Sequence, residues 1–486
     1  MQSFEQMTNS FINGEWVAGD SGRTYQNINP YDGSLIAEMN IASKEQLQDA
    51  FQVAKEAQKS WARSSVEERK QVIEKAMEYM NEHQEEIVQL ISRETGGTIL
   101  KANVEHQLAV GVMAEALNYA HEVGKAWEVP GGPEGKINKV YRLPLGVISS
   151  ISPFNFPVNL SLRTIVPAIA LGNAVVHKPD IQVGLVGGVV LAKAFEYAGL
   201  PPGVFNMLLT DIEEIGDEMI ENPVPRLISF TGSTAVGRHI GEIAGRSLKR
   251  VALELGGNSP FVVLSDANVD QAVNASIFGK FIHQGQICMI INRIIVHKDK
   301  YEEFVETFAA RAKELPCGNP QDPQTVIGPL INEQQLKKAA GYVALAKKEG
   351  ARTVLEGSIE GNVMTPFIFA DVKNDSDIAQ TELFAPIALV IKAETDEEAI
   401  KIAGETDRGL SSAIFTSDLE KGERYALELD AGMTHINDQT VNDAPNIPFG
   451  GTKASGLGRF GNPWVVEEFT SAKWVSVQTK EREFAF

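Results

Sequence analysis

Short apolar segments alternate with helical segments through most of this chain, and that alternation limits the fold more than any other feature. Between Gly146 and Gly257 each apolar segment is followed by a longer stretch of helical periodicity. This pattern is typical of βαβ crossovers, which build a parallel sheet. The predicted strands are 147–151, 174–177, 204–209, 227–230 and 251–255, and the predicted helices are 160–171, 182–198, 211–221 and 234–247.

A second series of the same kind follows Pro260 and predicts a second α/β domain. Asp266 is the expected N-cap of its first helix, and Gly285 is expected to end that helix. Because parallel sheets bind ligands beyond the carboxyl ends of their strands, we expect a cleft where the two series meet. The predicted strands are 261–264, 290–296, 388–392, 411–415 and 432–436, and the predicted helices are 266–284, 299–314, 330–349, 396–404 and 418–429.

Two chemically reactive side chains flank the junction between these series. Alternation along Val251–Leu255 places Glu254 near the strand end, on the face opposite the larger apolar side chains. Gly256–Gly257 follows as a turn that bulkier residues would strain, and Cys288 lies in a later glycine-ended loop. A thiol near a carboxylate suits nucleophilic catalysis, with the carboxylate acting on water. The alternative is that Cys288 is a small buried hydrophobic residue.

The N-terminal region lies outside both series. Asn13–Gly14 stands between two apolar pairs, which is a strong hairpin signal. Residues 43–123 predict three helical segments, with capping boxes at Ser43–Gln46 and Ser65–Glu68.

Two further segments, 136–142 and 473–478, alternate weakly and predict exposed strands without a place in a compact core. Exposed strands invite pairing with another chain, so we interpret them as an oligomerisation arm. A local hairpin without a partner is the alternative.

The composition excludes several classes of function. A formal net charge of −20 disfavours nucleic acid and anionic membranes as partners. The sequence shows neither an apolar run of membrane-spanning length nor an N-terminal targeting signal, and its eight His lack paired metal-ligand spacing. The two Cys, Cys288 and Cys317, indicate a reducing compartment. We therefore expect a cytoplasmic protein without a metal site, in which Cys317 is inert.

A set of motifs in one order resembles the aldehyde dehydrogenase superfamily. The resemblance implies an α/β, aldehyde dehydrogenase-like fold with two Rossmann-like βαβ domains and a β-arm for oligomerisation. Two motifs, Gly-Gln-Ile-Cys-Met and Asn-Asp-Gln-Thr-Val-Asn-Asp at 437–443, resemble the benzaldehyde, vanillin and salicylaldehyde dehydrogenase branch. The motifs are Pro-Phe-Asn-Phe-Pro at 153–157, Lys178-Pro179, Phe-Thr-Gly-Ser-Thr-Ala-Val-Gly at 230–237, Leu-Glu-Leu-Gly-Gly at 253–257, Gly-Gln-Ile-Cys at 285–288, Glu-Leu-Phe-Ala-Pro at 382–386 and Pro-Phe-Gly-Gly at 448–451.

On these grounds the chain divides into three parts. Residues 1–123 and 145–256 form the predicted dinucleotide-binding domain, and residues 257–450 form the predicted catalytic domain with the Cys nucleophile. Residues 124–144 and 451–486 form the predicted arm and C-terminal tail, which would assemble a homodimer or a homotetramer.

The resemblance gives the catalytic candidates their roles. Hydride leaves more readily from a tetrahedral alkoxide than from a planar carbonyl, so Cys288 would first add to the aldehyde. The Asn155 amide and the Cys288 backbone N–H would hold the oxyanion, unless Asn155 is only a turn residue. Glu254 would then activate the water that hydrolyses the thioester to the acid, and burial would raise its pKa.

The predicted cofactor is NAD. The resemblance implies that Lys178 binds the adenosine ribose, that Glu382 binds the nicotinamide ribose, and that Phe384 packs near the nicotinamide. Small residues at a helix N-terminus let a pyrophosphate approach backbone N–H groups. Without the resemblance, the glycines at 232 and 237 form only a weak motif that could be a simple turn. Lys178 could equally be a solvated surface lysine. The cofactor-binding candidates are Ser152, Pro153, Lys178, Gly232, Ser233, Thr234, Ala235, Val236, Gly237, Leu255, Glu382 and Phe384.

Two positions depart from the family pattern. NAD-selective members often carry Glu where this chain has Ile181, and that Glu would repel a 2′-phosphate. NADP is therefore an alternative cofactor. Ala385 stands where Gly is common and adds a methyl group beside the cofactor.

The expected substrate is a small-molecule aldehyde, with an aromatic aldehyde favoured because the candidate lining is apolar and lacks an obvious cation. An aliphatic aldehyde is the alternative. A CoA-acylating or ester-hydrolysing relative is the nearest alternative enzyme, and Glu254 argues against CoA acylation as the main outcome. A non-catalytic binding member is disfavoured by Cys288, Glu254 and Asn155 together. The pocket candidates are Phe154, Phe156, Leu160, Ile287, Met289 and Phe449.

Overall fold

The first large sheet confirms the predicted βαβ series. It is seen in a computed structural model that describes residues 3–484. Its central strands are parallel, and antiparallel strands from both ends of the chain extend its edges. The strands follow the spatial order Glu15–Val17, Ser10–Ile12, Phe205–Met207, Ala174–Lys178, Val147–Ile151, Pro225–Thr231, Arg250–Glu254 and Gly456–Leu457.

The second large sheet confirms the second series and adds two strands that the sequence pattern does not predict, Arg352–Leu355 and Phe367–Ala370. Its strands are parallel except for Arg352–Leu355. The spatial order is Arg352–Leu355, Phe367–Ala370, Ile387–Ala393, Ile291–His297, Ser259–Val263, Ser411–Phe415 and Met433–Ile436. The helices of this part are Val269–Phe281, Lys298–Lys313, Glu333–Lys348, Asp396–Gly404 and Leu419–Glu428.

The predicted bounds of the helix 266–284 are wrong at both ends. Asn268, not Asp266, caps the helix Val269–Phe281. Asp266 instead forms an ion pair with Lys421 at 2.9 Å, so a tertiary contact takes the side chain that local sequence assigns to capping. At the other end the chain leaves the helix after Phe281 and makes a tight turn over Ile282–Gly285.

The N-terminal region confirms the predicted hairpin, since Ser10–Ile12 pairs with Glu15–Val17. Asn13 and Gly14 have φ angles of 53° and 82° in the turn between these strands. The capping box at Ser43 is complete, whereas Ser65 accepts the backbone bond without a reciprocal side-chain bond.

The helices before residue 123 are divided differently from the prediction. His83 and the left-handed Gly96 interrupt the region, so the described residues contain four helices where three are predicted. Along residues 3–484, none of the helices combines the length and apolarity needed to cross a bilayer. The helices of the first part are Lys44–Trp61, Val66–Glu82, Gln84–Thr95, Ile99–Tyr119, Pro157–Ala170, Val190–Tyr197, Ile212–Ile215, Glu218–Glu221 and Thr234–Arg246.

The two predicted exposed strands pair with each other. Lys136–Pro144 is antiparallel to Thr470–Gln478 along its full length, and Ala126–Glu128 pairs with its other edge. Trp127 and Trp474 are exposed on this small sheet.

Candidate active site

Asn155 is held in the loop between the strand Val147–Ile151 and the helix Pro157–Ala170. The helix is buried along its whole length, and most of its residues are apolar. Asn155 Oδ1 accepts a hydrogen bond from Phe156 N at 3.0 Å, and Asn155 Nδ2 donates to the Gln286 carbonyl at 3.0 Å. These contacts fix the direction of the amide.

A buried ion pair that the sequence analysis misses holds the start of the same helix. Glu105 Oε1 accepts from Val158 N at 2.7 Å and from Asn159 N at 3.4 Å. Lys101 Nζ donates to the other carboxylate oxygen at 2.5 Å and lies 4.4 Å from the centre of the Phe156 ring. A carboxylate at a helix N-terminus is electrostatically favourable, so this pair stabilises the loop that carries Asn155. The four-residue spacing of Lys101 and Glu105 is the signal that was available.

Cys288 follows a loop that is pinned to the rest of the chain. His283 and Gln284 adopt left-handed φ angles of 50° and 57°. Gln284 Nε2 donates to the carbonyls of Gly96 and Pro329, both at 2.8 Å. Cys288 is half-buried and borders a cavity, so the loop presents its thiol to a space that can hold substrate.

Gly256 and Gly257 leave room for two functional groups. A Cβ atom on Gly256 would lie 2.1 Å from Glu382 Oε2, and one on Gly257 would lie 2.4 Å from the Cys288 carbonyl oxygen. Neither glycine has a positive φ. These clashes confirm the prediction that bulkier residues would strain the turn, and close approach is the reason for glycine at both positions.

Glu254 ends its strand in a buried site and is 2% exposed. Neither carboxylate oxygen has a hydrogen-bond partner among the described residues. Burial raises the pKa of Glu254 to about 8, against an opposing effect of Arg163. Burial also raises the pKa of Cys288 to about 12, and the charges of Glu254 and Glu382 add to that shift. In the protein alone, the thiol is therefore protonated at neutral pH.

A cavity of about 260 Å³ brings Cys288 and Asn155 together with most of the predicted pocket residues. Phe154 does not line it and instead packs edge-to-face on Phe384, with ring centres 6.0 Å apart. The predicted residues in the lining are Phe156, Leu160, Ile287, Met289 and Phe449. The lining also contains Val104, Leu108, Asn159, Arg163, Phe278, Ile282, Gln439, Val441, Asn442 and Asp443.

The expectation that this lining lacks a cation is wrong. Arg163 lies in the wall, forms an ion pair with Asp443, and stacks over Phe449 at 3.9 Å from the ring centre. Its Nη1 has no hydrogen-bond partner among the described residues. The pair neutralises the charge and leaves one buried donor of Arg163 without a partner among the described residues. The four-residue spacing of Asn159 and Arg163 places them on one helix face, which is a sequence signal for this arrangement.

Several cofactor candidates lie at the carboxyl ends of parallel strands in the first sheet. Ser152, Lys178 and Ser233 are at three of these ends, and the region that they border is called the groove. Ser152 N donates to the Lys178 carbonyl at 3.2 Å, so neighbouring strand ends meet there, next to Pro153. Ser233 caps the helix Thr234–Arg246, and three residues around its N-terminus are exposed. They are Ser233, Ala235 and Val236.

Packing alone accounts for the glycines of the same loop. A Cβ atom on Gly232 would lie 2.3 Å from the Phe230 ring, and one on Gly237 would lie 2.3 Å from Leu255 Cδ2. The cofactor contacts of Gly232, Gly237 and Leu255 stay predictions.

Glu382 lies against Gly256, and Phe384 packs on Phe154, so both are close to these strand ends. Gly257 N donates to Glu382 Oε1 at 3.3 Å, and burial raises the pKa of Glu382. Gly285 packs against Ala385, whose carbonyl oxygen would lie 2.4 Å from a Cβ at that glycine. The segment that carries Glu382 is thereby in contact with the loop that carries Cys288.

Comparisons with known proteins match nearly the whole chain. The model of the aldehyde dehydrogenase family matches residues 16–475. AldY of Bacillus subtilis (strain 168) is 63% identical over 484 residues, covering 100% of both chains. Vanillin dehydrogenase of Corynebacterium glutamicum is 47% identical over 473 residues, covering 97% of this chain and 98% of that relative. The crystal structure of an NAD-dependent benzaldehyde dehydrogenase from Corynebacterium glutamicum is 43% identical, with a TM-score of 0.90 and 99% of each chain covered.

A thiol, an amide donor and a buried carboxylate beside an α/β groove define a class of enzyme that works through a covalent thiol adduct. The chain belongs to the aldehyde dehydrogenase family. It is an NAD(P)-dependent aldehyde dehydrogenase.

Proposed function

We propose that the protein oxidises aromatic aldehydes of the benzaldehyde or vanillin type to carboxylic acids, with NAD as cofactor and NADP as an alternative. The observation that carries this proposal is the apolar cavity that reaches Cys288 and Asn155. The similarity to vanillin and benzaldehyde dehydrogenases supports the aromatic substrate class.

The size and walls of the cavity support an aromatic ring. An apolar cavity of about 150 Å³ is enough for benzene, so about 260 Å³ accommodates a ring with its aldehyde and small substituents. Phe156, Leu160 and Phe449 supply apolar walls. Because Arg163 is paired with Asp443, the wall carries no net charge that would favour an anionic substrate.

The groove residues fit a dinucleotide. Ser233 and Val236 are exposed at the N-terminus of their helix, and within residues 3–484 Lys178 Nζ donates only to the Pro179 carbonyl, at 3.5 Å. Lys178 and Glu382 would hold the two riboses, and the helix N-terminus would hold the diphosphate. When bound, the nicotinamide supplies the hydride acceptor.

The first chemical step belongs to Cys288 and Asn155. The Cys288 thiol gives its proton to solvent water as sulfur bonds to the aldehyde carbon, and the π electrons of the carbonyl move onto oxygen, which gives a thiohemiacetal oxyanion. Asn155 Nδ2 and the Cys288 backbone N–H are the donors for that oxyanion. The backbone N–H donates no hydrogen bond within the described residues, which leaves it available.

The second step belongs to Glu254. Once hydride has left the substrate carbon, the acyl group remains on Cys288 as a thioester. Glu254 accepts a proton from water, the resulting hydroxide attacks the thioester carbon, and the carbon–sulfur bond breaks. The products are the carboxylic acid and the regenerated thiol.

An aldehyde panel with both cofactors tests this proposal. We expect kcat/KM for benzaldehyde and vanillin to exceed that for acetaldehyde and hexanal at least tenfold, measured by NADH or NADPH absorbance. Cys288→Ala should bind NADH and show no turnover, whereas Cys317→Ala should retain it. A preference for hexanal would favour the aliphatic alternative, and acyl-CoA formation on adding CoA would favour an acylating enzyme. Silence with every aldehyde and both cofactors would refute the proposal.

The domain assignment is part of the same proposal. We assign residues 1–123 and 145–256 to cofactor binding, residues 257–450 to catalysis, and residues 124–144 and 451–486 to the arm and tail. The pairing of Gly456–Leu457 with the strand Arg250–Glu254 shows that part of the tail also extends the first sheet.

The arm supports the proposed oligomeric state, and the cysteines support the proposed cytoplasmic location. The exposed Trp127 and Trp474 give the small sheet a surface for pairing with a second copy, in a homodimer or a homotetramer. Cys288 and Cys317 are both free thiols, which suits a reducing cytoplasm.

A further inference from the structure

Arg408 lies between two residues that would hold different parts of the cofactor. Its Nη1 donates to Thr234 Oγ1 at 2.6 Å and to the Gly256 carbonyl at 3.4 Å. The same nitrogen lies 4.0 Å from Glu382 Oε2. The guanidinium therefore lies between the N-terminus of the helix Thr234–Arg246 and the Glu382 carboxylate.

The backbone and neighbours of Arg408 hold this side chain in place. Arg408–Gly409 pairs antiparallel with Thr452–Lys453, and Arg408 Nε donates to Asp407 Oδ1 at 3.1 Å. The side chain is 20% exposed, so it is largely enclosed yet reaches solvent. Its Nη2 makes no hydrogen bond to residues 3–484. One donor nitrogen is thus free to bond to a ligand that lies beside Thr234.

The positive charge of Arg408 suits it to bind an anionic group. The chain carries a formal net charge of −20, while the diphosphate of a dinucleotide is itself anionic. A helix N-terminus offers about half a positive charge. A guanidinium adds a full charge and a planar fork that matches phosphate oxygens.

We propose that Arg408 is a cofactor-positioning residue for the dinucleotide diphosphate. Nη1 keeps the Thr234 helix terminus and Glu382 in register, and Nη2 donates to a diphosphate oxygen. This inference rests on the proposed function, because it needs NAD or NADP in the groove. No sequence motif used above contains Arg408.

A binding experiment without aldehyde tests the inference. The full-length protein and its Arg408→Gln variant are titrated with NAD, ADP-ribose and adenosine by calorimetry, and with NADH by fluorescence. We expect Arg408→Gln to raise Kd for the three diphosphate ligands at least tenfold, which is about 1.4 kcal/mol. Adenosine lacks the diphosphate, so its affinity should change less than twofold. Arg408→Lys keeps the charge but loses the planar fork. Its affinity for the three diphosphate ligands should fall between those of the wild type and Arg408→Gln.

Arg238→Gln is the matched control. It removes the same charge from the helix Thr234–Arg246, but Arg238 is 70% exposed, and among the described residues its ion-pair partner is Asp407 alone, at 3.8 Å. Its dinucleotide Kd should stay within twofold of the wild type. The salt dependence of NAD binding should also be weaker in Arg408→Gln than in Arg238→Gln, because the diphosphate would have lost its cation.

The outcomes separate this inference from the proposed function. Unchanged dinucleotide affinity in Arg408→Gln, with active wild-type enzyme, would overturn the inference and leave the function intact. Equal weakening of adenosine and NAD would also overturn it, because the damage would extend beyond the diphosphate. A wild-type protein that binds neither NAD nor NADP would refute the proposed function itself. If Arg408→Gln does not fold, a dinucleotide affinity of Arg408→Lys that equals that of the wild type would overturn the inference.

Discussion

The pH dependence of turnover should report the ionisation of Glu254. Its carboxylate is the form that accepts a proton from water, and burial raises its pKa to about 8. Raising the pH through this value creates the active carboxylate, and lowering the pH removes it. Hydrolysis of the thioester should therefore speed up between neutral and alkaline pH.

The size of the effect follows from the same pKa. With a pKa of about 8, roughly one tenth of Glu254 is ionised at about pH 7 and roughly nine tenths at about pH 9. The hydrolysis rate should rise about tenfold over this interval and then level off. The Cys288 thiol, with a pKa of about 12, would instead produce a rise that continues without a plateau.

Rapid mixing separates the two contributions. The first turnover appears as a burst of NADH, which depends on Cys288, and the later linear phase reports hydrolysis when hydrolysis is slow. Glu254→Gln should keep the burst and slow the linear phase about 10²- to 10⁴-fold, the usual contribution of a general base. Its remaining linear phase should lose the plateau near pH 9.

Two results would refute this reasoning. A linear phase that is independent of pH between about 6.5 and 9 in the wild type would show that Glu254 is not the titrating base. A Glu254→Gln enzyme with wild-type turnover and the same pH profile would remove Glu254 from the hydrolytic step.

Three further substitutions test other parts of the site and the surface. Asn155→Ala should lower kcat about 10²- to 10³-fold by removing an oxyanion donor, with NADH affinity unchanged; unaltered kcat would exclude that role. Ile181→Glu should lower kcat/KM for NADP at least tenfold more than for NAD, because the carboxylate repels a 2′-phosphate; equal losses would reject the idea. Trp474→Glu, at a side chain that is 64% exposed, should shift light-scattering mass towards smaller species, and an unchanged mass would count against the arm.

Periodicity predicted the two α/β series well because it reflects burial within each element. The strand Val147–Ile151 and the helix Thr234–Arg246 lie close to their predicted bounds. Helix ends were less predictable, because distant residues compete for capping groups. Asp266 shows this directly, since Lys421, far away in sequence, takes the carboxylate that the local pattern assigns to a helix cap.

The site residues whose role follows from their residue type could be predicted from the sequence. The direction in which a side chain points could be predicted less well. Cys288 and Asn155 border one cavity, as the motifs imply. The direction of the Arg163 side chain could not be predicted, because a helical side chain next to a pocket motif can face either way. The backbone bonds from Glu105 to the start of the Asn155 helix also could not be foreseen, because they depend on how two helices pack.

The nucleophile and the base occupy one low-dielectric site, and their order of use makes this workable. Two anions cannot be held close together there without raising a pKa, and the Glu254 carboxylate does raise the pKa of Cys288. The sulfur needs its negative charge only while it attacks the aldehyde. Glu254 needs its charge only afterwards, when sulfur is bonded to the acyl group and carries none. At neutral pH Glu254 is mostly protonated while sulfur attacks, so the two groups need not be anionic together. Above a pH of about 8, the charge of Glu254 opposes formation of the thiolate.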